Sequence, residues 1–494
     1  MDSVIHTLLT VSRDLSFIRA ELTLIAGIII LTTLEVIRPN RLVRAKYLVS
    51  LITAGLTLIL VTPFPFQVNT TLFHNLFEIT DLGTATRIII SIGLVFIILF
   101  QWSRKSKQYV EINILILAAA LGCLLTVMAK HLLSIFISLE LISLSSYALI
   151  TLNFRKQGYE GAVKYLVFGA ISTAISLFGM SLLYGLTGSM ELNAIADAWD
   201  NVMNVTEQNS FILICILVLA AIFFKLSFFP FHIWTPDAYE GADANITAFL
   251  STLPKIAVFS LFFKISQAIA LQASPLWTSM LSVLIIATIA IGNFGALQQG
   301  RLKRLFAYSS IAHSGIILLV LFDPNEYSLV YYLTVYMFMN LGIFYIIQLF
   351  EEQDIHQTTD FRHTEIPHFL ISGSLVTFLV ALTGLPPTAG FTAKLFIFSG
   401  VWNSYASTGN PLDITLLAIA ILSVVVSLAY YLKLPVYLFL KPKRQDINLI
   451  TVQFSTLNIM LATIMALMLL CMFLKPDLLS KLFSYFNITL SLRS

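Results

Sequence analysis

Five charged side chains stand in apolar stretches that an ordinary membrane helix would keep free of charge. Glu140 lies within Ser134-Ile-Phe-Ile-Ser-Leu-Glu140-Leu-Ile-Ser143, and Lys164 falls in the next apolar run. Lys225 sits in Ala221-Ile-Phe-Phe-Lys225-Leu-Ser-Phe-Phe-Pro230, Lys255 follows Pro254, and Lys394 follows the Pro386-Pro387 pair. A charge near mid-membrane costs roughly 2.5–3.5 kcal/mol on insertion scales. One such charge is as readily a structural ion pair or a snorkelling side chain. Five in separate runs point to a shared task. The proton affinity of a lysine follows its surroundings: burial weakens it and a nearby carboxylate restores it. Arginine, always charged, lacks this property. A row of lysines seeded by one glutamate has the chemistry of a proton relay. Lys264 and Lys433 lie nearer the ends of their runs, where snorkelling is the better reading. Glu21 and Glu35 likewise sit near the ends of the first run.

Further polar groups cluster beside these residues. His232 and Asp237 follow Pro230, while Tyr308, Ser309, Ser310 and His313 stand one to two helical turns apart. His313 titrates in the right range to carry a proton between Lys255 and Lys394. A histidine hydrogen-bonded within a helix interface accounts for it equally well. Pro230 beside Lys225, and Pro386 and Pro387 beside Lys394, are expected to break their helices. A membrane helix breaks only where protein or water satisfies the freed backbone groups. Such breaks in corresponding halves mark a transport site in an inverted repeat. Lys225 and Lys394 are 169 positions apart, a spacing compatible with two five-helix units. No residue-level repeat is visible.

The elements that position these groups follow from composition. The chain has 494 residues, 58% of them hydrophobic and only 11% charged, with a mean hydropathy of +0.88. A soluble domain is typically about 25% charged, so a soluble enzyme, a nucleic-acid binder and a disordered scaffold are excluded. The net charge of +3 suggests no polyanionic partner. Fourteen segments are apolar and long enough to span a bilayer: roughly 20–37, 45–62, 87–102, 110–129, 132–153, 161–187, 211–230, 244–270, 276–298, 304–322, 327–350, 367–400, 412–440 and 453–474. The expected fold is therefore an all-α membrane protein of about fourteen helices. Its two inverted five-helix repeats would cover spans 4–8 and 9–13, with discontinuous helices 7 and 12. The corresponding divisions are 1–108, 109–272, 273–445 and 446–494.

Loop charges orient the bundle, because cytoplasmic loops collect Lys and Arg. With both termini outside, the inner loops hold Arg38, Arg41, Arg44, Lys46, Arg104, Lys105, Lys107, Arg155, Lys156, Arg301, Lys303, Arg304, Arg362, Lys441, Lys443 and Arg444. Arg13, Arg19, Arg87, Lys130, Lys475, Lys481 and Arg493 fall outside. The N-terminus has no cleavable-signal pattern. Cys123, Cys215 and Cys471 lie singly in apolar runs and are read as buried thiols; an iron–sulfur cluster typically takes four cysteines. No GxGxxG, Walker A or HExxH motif occurs, and no metal site is expected.

Several stretches resemble the antiporter-like membrane subunits of respiratory complex I, the proton-pumping NADH:quinone oxidoreductase. They are Ser138-Leu-Glu140-Leu-Ile-Ser-Leu-Ser-Ser-Tyr147, Glu160-Gly-Ala-Val-Lys164-Tyr-Leu-Val-Phe-Gly-Ala170, Phe224-Lys225-Leu-Ser-Phe-Phe-Pro-Phe-His-Ile-Trp-Thr-Pro-Asp-Ala-Tyr-Glu-Gly241, Arg304-Leu-Phe-Ala-Tyr308-Ser-Ser-Ile-Ala-His313 and Leu382-Thr-Gly-Leu-Pro-Pro-Thr-Ala-Gly-Phe-Thr-Ala-Lys394. Among the paralogues the resemblance is to the subunit N (subunit 2) branch. The M branch typically has Glu where Lys394 stands, and the L branch continues into a long lateral helix. One departure is Gly241-Ala-Asp243-Ala-Asn245, where the family usually has prolines; Asp243 is then an extra carboxylate at the entry to span 8.

The resemblance implies roles. Glu140 would pair with Lys164 or with a lysine of a neighbouring subunit. Lys225 would be the central carrier of the first half-channel, Lys255 and His313 the bridge, and Lys394 the terminal carrier, with His232, Tyr308 and Ser309 in support. This chain would bind no cofactor: NADH, FMN, iron–sulfur clusters and quinone would belong to partner subunits. Subunits M and K would be its neighbours in a bacterial plasma membrane. The competing expectations are a subunit of a multi-subunit cation/proton antiporter, a membrane subunit of a related hydrogenase, and a purely structural spacer.

Overall fold

The computed structural model describes residues 11–39, 41–61, 70–103, 110–152, 155–200, 205–269, 274–365, 368–440, 450–451, 454–486 and 488–490. The expected divisions near 108, 272 and 445 lie outside these residues, as do the expected inner-loop charges Arg104, Lys105, Lys107, Lys441, Lys443 and Arg444.

The described chain is almost entirely helical. After a short helical stretch over 11–17, the first three long helices are α1 (Arg19–Ile37), α2 (Val43–Val61) and α3 (Asp81–Ser103). A short antiparallel hairpin, β1 (Thr70–Leu72) with β2 (Phe77–Ile79), lies between α2 and α3. Then come α4 (Val110–Met128), α5 (Leu132–Thr151), α6 (Lys156–Thr187) and the short α7 (Leu192–Asp200). The seventh expected span is α8 (Val205–Val218) and α9 (Ala220–Leu226), bent by 48°, followed across a break by α10 (Trp234–Gly241). Next are α11 (Ala244–Ala268), α12 (Pro275–Leu297), α13 (Leu302–Leu321) and α14 (Glu326–Glu351). The twelfth expected span divides into α15 (Phe369–Thr383) and α16 (Ala389–Thr408). The chain ends with α17 (Pro411–Leu440), α18 (Thr456–Leu474) and the short α19 (Leu478–Tyr485).

Among the described residues, twelve helices are continuous, long and apolar enough to cross a membrane, and the bent pair makes a thirteenth. The remaining expected span is the divided α15/α16. At 1.5 Å rise per residue, a 20-residue helix covers about 30 Å, the thickness of the hydrocarbon core. The membrane-spanning stretches of α11 and α14 are buried throughout, and those of α3 and α13 nearly so; α1, α2, α6 and α17 form the periphery. The periphery carries Ile29, Phe178 and Val425 on its exposed face, and α5 and α12 expose Leu144 and Phe294. That arrangement suits lipid, where exposed apolar side chains cost nothing and every backbone group must be satisfied internally.

Three expected loop charges are instead buried: Lys130, which meets Glu78 of the hairpin at 3.5 Å, and Arg87 and Lys46. Helix α3 begins six residues before the expected span, so Arg87 lies inside it and meets Glu21 of α1 at 2.7 and 2.9 Å, the pair 4% and 1% exposed. Lys46, fully buried in α2, pairs with Glu35 at 2.6 Å and donates to the Arg38 carbonyl at 2.8 Å. Hydropathy places a helix end where charges begin. A charge neutralised by a neighbouring helix defeats that rule. Cys471, read as buried, is exposed on the outer face of α18, while Cys123 and Cys215 are buried.

Candidate functional site

Both broken helices end on a left-handed residue, Ser227 after α9 and Gly384 after α15, and the prolines that follow, having no N–H, keep the helix from resuming at once. The freed backbone groups are taken up partly by other backbone groups, as where the Ser227 and Phe228 N–H donate to the Phe224 and Phe223 carbonyls and the Gly384 and Leu385 N–H to the Val380 carbonyl, and partly by side chains. After α9, Ser227 turns into the left-handed region with φ of 60°. Its hydroxyl accepts from the Thr235 hydroxyl at 2.7 Å. The Phe229 N–H donates to the Thr288 hydroxyl at 3.1 Å, and the Trp234 indole N–H donates to the Phe224 carbonyl at 3.1 Å. The Phe229–Pro230 and Pro386–Pro387 peptides are both cis.

Lys225, in the last turn of α9, is 4% exposed. Its ammonium donates to the Tyr165 hydroxyl at 2.7 Å and lies 4.8 Å from the centre of that ring and 5.6 Å from that of Tyr147. Aromatic faces attract a cation through their quadrupole. Tyr165 is clamped in turn, stacked on Trp234 with centroids 4.0 Å apart. Gly169 makes room for Tyr147, whose hydroxyl occupies the space a side chain there would need.

Lys255, one residue after Pro254 in α11, donates to the hydroxyls of Ser310 and Ser314 on α13 at 2.8 and 3.0 Å. Ser310 is bonded to the Tyr336 hydroxyl at 2.8 Å. His313, on the same helix, bonds through Nδ1 to the Tyr332 hydroxyl at 2.8 Å and packs beside Tyr336.

Lys394, on α16, reaches back across the break and donates to the last carbonyls of α15, Leu382 at 3.0 Å and Thr383 at 2.7 Å. Helix C-terminal carbonyls have no intrahelical partner and carry the negative end of the helix dipole. Gly384 allows this twice over. Its φ of +82° suits glycine, and a Cβ there would lie 2.6 Å from the Lys394 Cδ. Among the described residues, none of Lys225, Lys255 and Lys394 is within ion-pair distance of a carboxylate.

Other expected residues are placed differently. Glu140 does not meet Lys164. Its carboxylate accepts from the Thr173 hydroxyl at 2.8 Å and is half-buried on a face where Ile137 and Leu144 are exposed. Lys164 instead pairs with Glu160 at 2.8 Å and with Asp237 of α10 at 2.7 Å. The reason is its position, about two turns from the start of α6, which brings it to one end of the bundle rather than its middle. There Arg304 meets Asp237 at 2.7 Å and Glu240 at 3.0 Å, Arg301 also pairs with Glu240, and Lys303 meets Glu351 at 2.7 Å. These ion pairs join α6, α10, α13 and α14, and sequence spacing gave no sign of them.

His232 stands half-buried in the first break with its ring stacked on Phe229. Ser309 bonds to the Tyr431 hydroxyl, and Tyr308 packs against Gly295 of α12. Asp243 takes the N-cap position of α11, but its side chain makes no capping bond. Lys264 pairs with Glu78 at 3.4 Å, and Lys433 donates to the Leu297 carbonyl at 2.6 Å; both lie toward helix ends, as their spacing suggested. The residues missed were the lysines' partners. Tyr165 stands inside a stretch already singled out, whereas the Leu382 and Thr383 carbonyls have no sequence sign beyond the break itself.

A polytopic all-α membrane protein with a buried lysine at each of two broken helices belongs to the antiporter-like class. The sequence profile described as NADH:quinone oxidoreductase/Mrp antiporter, TM, matches residues 129–414. NADH-quinone oxidoreductase subunit N 1 of Thermodesulfovibrio yellowstonii is 36% identical over 377 residues, 75% of this chain and 79% of that protein. NADH-quinone oxidoreductase subunit N 2 of Sorangium cellulosum is 33% identical over 454 residues, covering 85% and 87%. A chain of respiratory complex I from Thermus thermophilus superposes with a TM-score of 0.76 at 27% identity, covering 93% of this chain and 98% of that one. This chain belongs to the NADH:quinone oxidoreductase/Mrp antiporter membrane family, and within it to the group of NADH-quinone oxidoreductase subunit N.

Proposed function

We propose that this chain translocates protons as a non-redox membrane subunit of an NADH:quinone oxidoreductase. The observation that carries the reading is the set of three lysines buried inside the bundle with neutral hydrogen-bond partners. An ammonium held by hydroxyls and carbonyls can lose its proton without leaving a counter-charge stranded in low dielectric. In this reading Lys225 takes a proton from the inner side, Lys255 and His313 pass it across the bundle, and Lys394 delivers it outward. His232, Tyr308 and Ser309 support the two ends of this path. Glu140 faces the bilayer half-buried, so the cation that sets its influence on Lys225 is a lysine of an adjoining subunit rather than Lys164. Subunits M and K are the proposed neighbours. NADH, FMN, iron–sulfur clusters and quinone are assigned to partner subunits. The membrane is a bacterial plasma membrane, with both termini on its outer side and the Arg301 end of the bundle inside.

The test is Lys225→Ala in the assembled complex, with the proton-to-electron ratio measured in sealed vesicles. The ratio is expected to fall while electron transfer persists. An unchanged ratio in a fully assembled complex removes the relay. A tagged chain that purifies with antiporter-type subunits and no redox partner removes the oxidoreductase assignment.

A further inference from the structure

At the end of the bundle opposite Arg301, a cleft of about 350 Å³ opens between α12, α13, α16 and α17. Thr278, Phe322, Ser404, Thr408 and Asp413 are among its lining. Asp413 is the unusual member: a carboxylate only 2% exposed. Its Oδ2 accepts from the Ser404 hydroxyl at 2.7 Å and from the Thr408 hydroxyl at 3.4 Å. Both hydroxyls belong to the last turns of α16, the helix that carries Lys394. Positions 394, 397, 401, 404 and 408 recur every three to four residues and so share one face of that helix. Lys394 and Ser404 are ten residues apart, about 15 Å along the axis.

A second carboxylate stands between them. Asp323, in the turn joining α13 to α14, lies against Gly400: a Cβ on that glycine would be 3.5 Å from the Asp323 Oδ2. Gly400 is six residues beyond Lys394, about 9 Å along the helix. Ile397 and Val401, both buried, separate the lysine from the cleft on the same face. An apolar stretch of this kind conducts only when wetted and otherwise blocks return flow.

We infer that this cleft is the outward release mouth of the second half-channel, with Asp323 and Asp413 as its proton-carrying groups. The inference rests on the proposed function and adds residues to it. When the stretch past Ile397 and Val401 is wetted, an N–H bond of the Lys394 ammonium breaks and an O–H bond forms on Asp323. The proton then passes through water to the Asp413 carboxylate, whose O–H bond breaks as the proton leaves to bulk water. Each carboxylate is restored and Lys394 is left neutral. The Ser404 and Thr408 hydroxyls hold the Asp413 carboxylate in place.

Two experiments on the assembled complex test this. The first gives Cys471→Ser vesicles a new thiol by Thr278→Cys and adds a membrane-impermeant thiol reagent to one face at a time. Labelling from the outer face is expected. Labelling from the inner face alone, or from neither, overturns the mouth. The second measures the proton-to-electron ratio of Asp413→Asn, Asp323→Asn and Asp413→Glu. The two Asn variants are expected to fall to the level of Lys394→Ala, and Asp413→Glu to restore the ratio. If Asp413→Asn prevents assembly, Asp323→Asn alone decides. An assembled Asn variant with an unchanged ratio overturns the assignment, provided Lys394→Ala lowers it. If Lys394→Ala itself has no effect, it is the proposed function that fails.

Discussion

The first three long helices and the two broken-helix halves both bury charge, but they do so in opposite ways. In the opening bundle every buried charge described here has an opposite charge beside it: Glu21 with Arg87, Lys46 with Glu35. In the halves, Lys225, Lys255 and Lys394 are held by a tyrosine hydroxyl, two serine hydroxyls and two backbone carbonyls. The first arrangement locks a charge state, because removing either charge strands the other. The second tolerates both protonation states of the lysine, because its partners are neutral in each. Burial alone therefore does not mark a working charge; the nature of its partner does.

The largest effect that sharpens this contrast belongs to Glu21→Gln. It leaves Arg87 uncompensated, and breaking a buried pair costs about 3–5 kcal/mol. The expected result is a sharp fall in assembled complex or in its thermal midpoint, with a normal proton-to-electron ratio in whatever assembles. A lowered ratio would place this pair among the working charges. Conversely, Lys394→Met is expected to abolish this chain's share of pumping with a smaller loss of assembly, since the charge it removes had no counter-ion and what it strands is the neutral carbonyls of Leu382 and Thr383, at about 1–3 kcal/mol for an unsatisfied buried acceptor. Destabilisation as severe as that of Glu21→Gln would break the comparison.

Next in size is Gly384→Ala. It forces a side chain into the left-handed region, at about 1–2 kcal/mol, and presses a methyl on the Lys394 stem. Reduced thermal stability and impaired pumping should appear together, read from melting of the purified complex and from the ratio. Tyr165→Phe removes the hydrogen bond that the Lys225 ammonium donates, worth about 1.5–3 kcal/mol for a charged donor, while the ring face stays. A modest fall in pumping rate is expected, far smaller than for Lys225→Ala. The smallest effect is assigned to Asp237→Asn, in the part-exposed ion-pair chain at the Arg301 end. Such pairs contribute about 0–1 kcal/mol and are screened by salt. A slight stability loss that vanishes at high salt, measured by thermal melting, is expected.

Much of this molecule is legible in its sequence because a membrane constrains it so strongly. Composition set its class, apolar runs located its helices, and Pro230 and Pro386-Pro387 marked the two places where a span divides. Lys225, Lys255 and Lys394 stood out because charge in an apolar run is expensive wherever the chain folds. These are local properties, written in a window of about twenty residues. What the tertiary structure decided is which charges meet. Arg87 and Lys46 looked like loop residues until Glu21 and Glu35 were brought against them from a neighbouring helix. Lys164 looked like a relay partner of Glu140 until its position near the start of α6 delivered it to Asp237. The partners of Lys394 are carbonyls of Leu382 and Thr383, groups every residue has, made special only by the helix that ends there. Ion pairing and hydrogen bonding act within about 3 Å between residues tens or hundreds of positions apart. No periodicity along the chain encodes such distances.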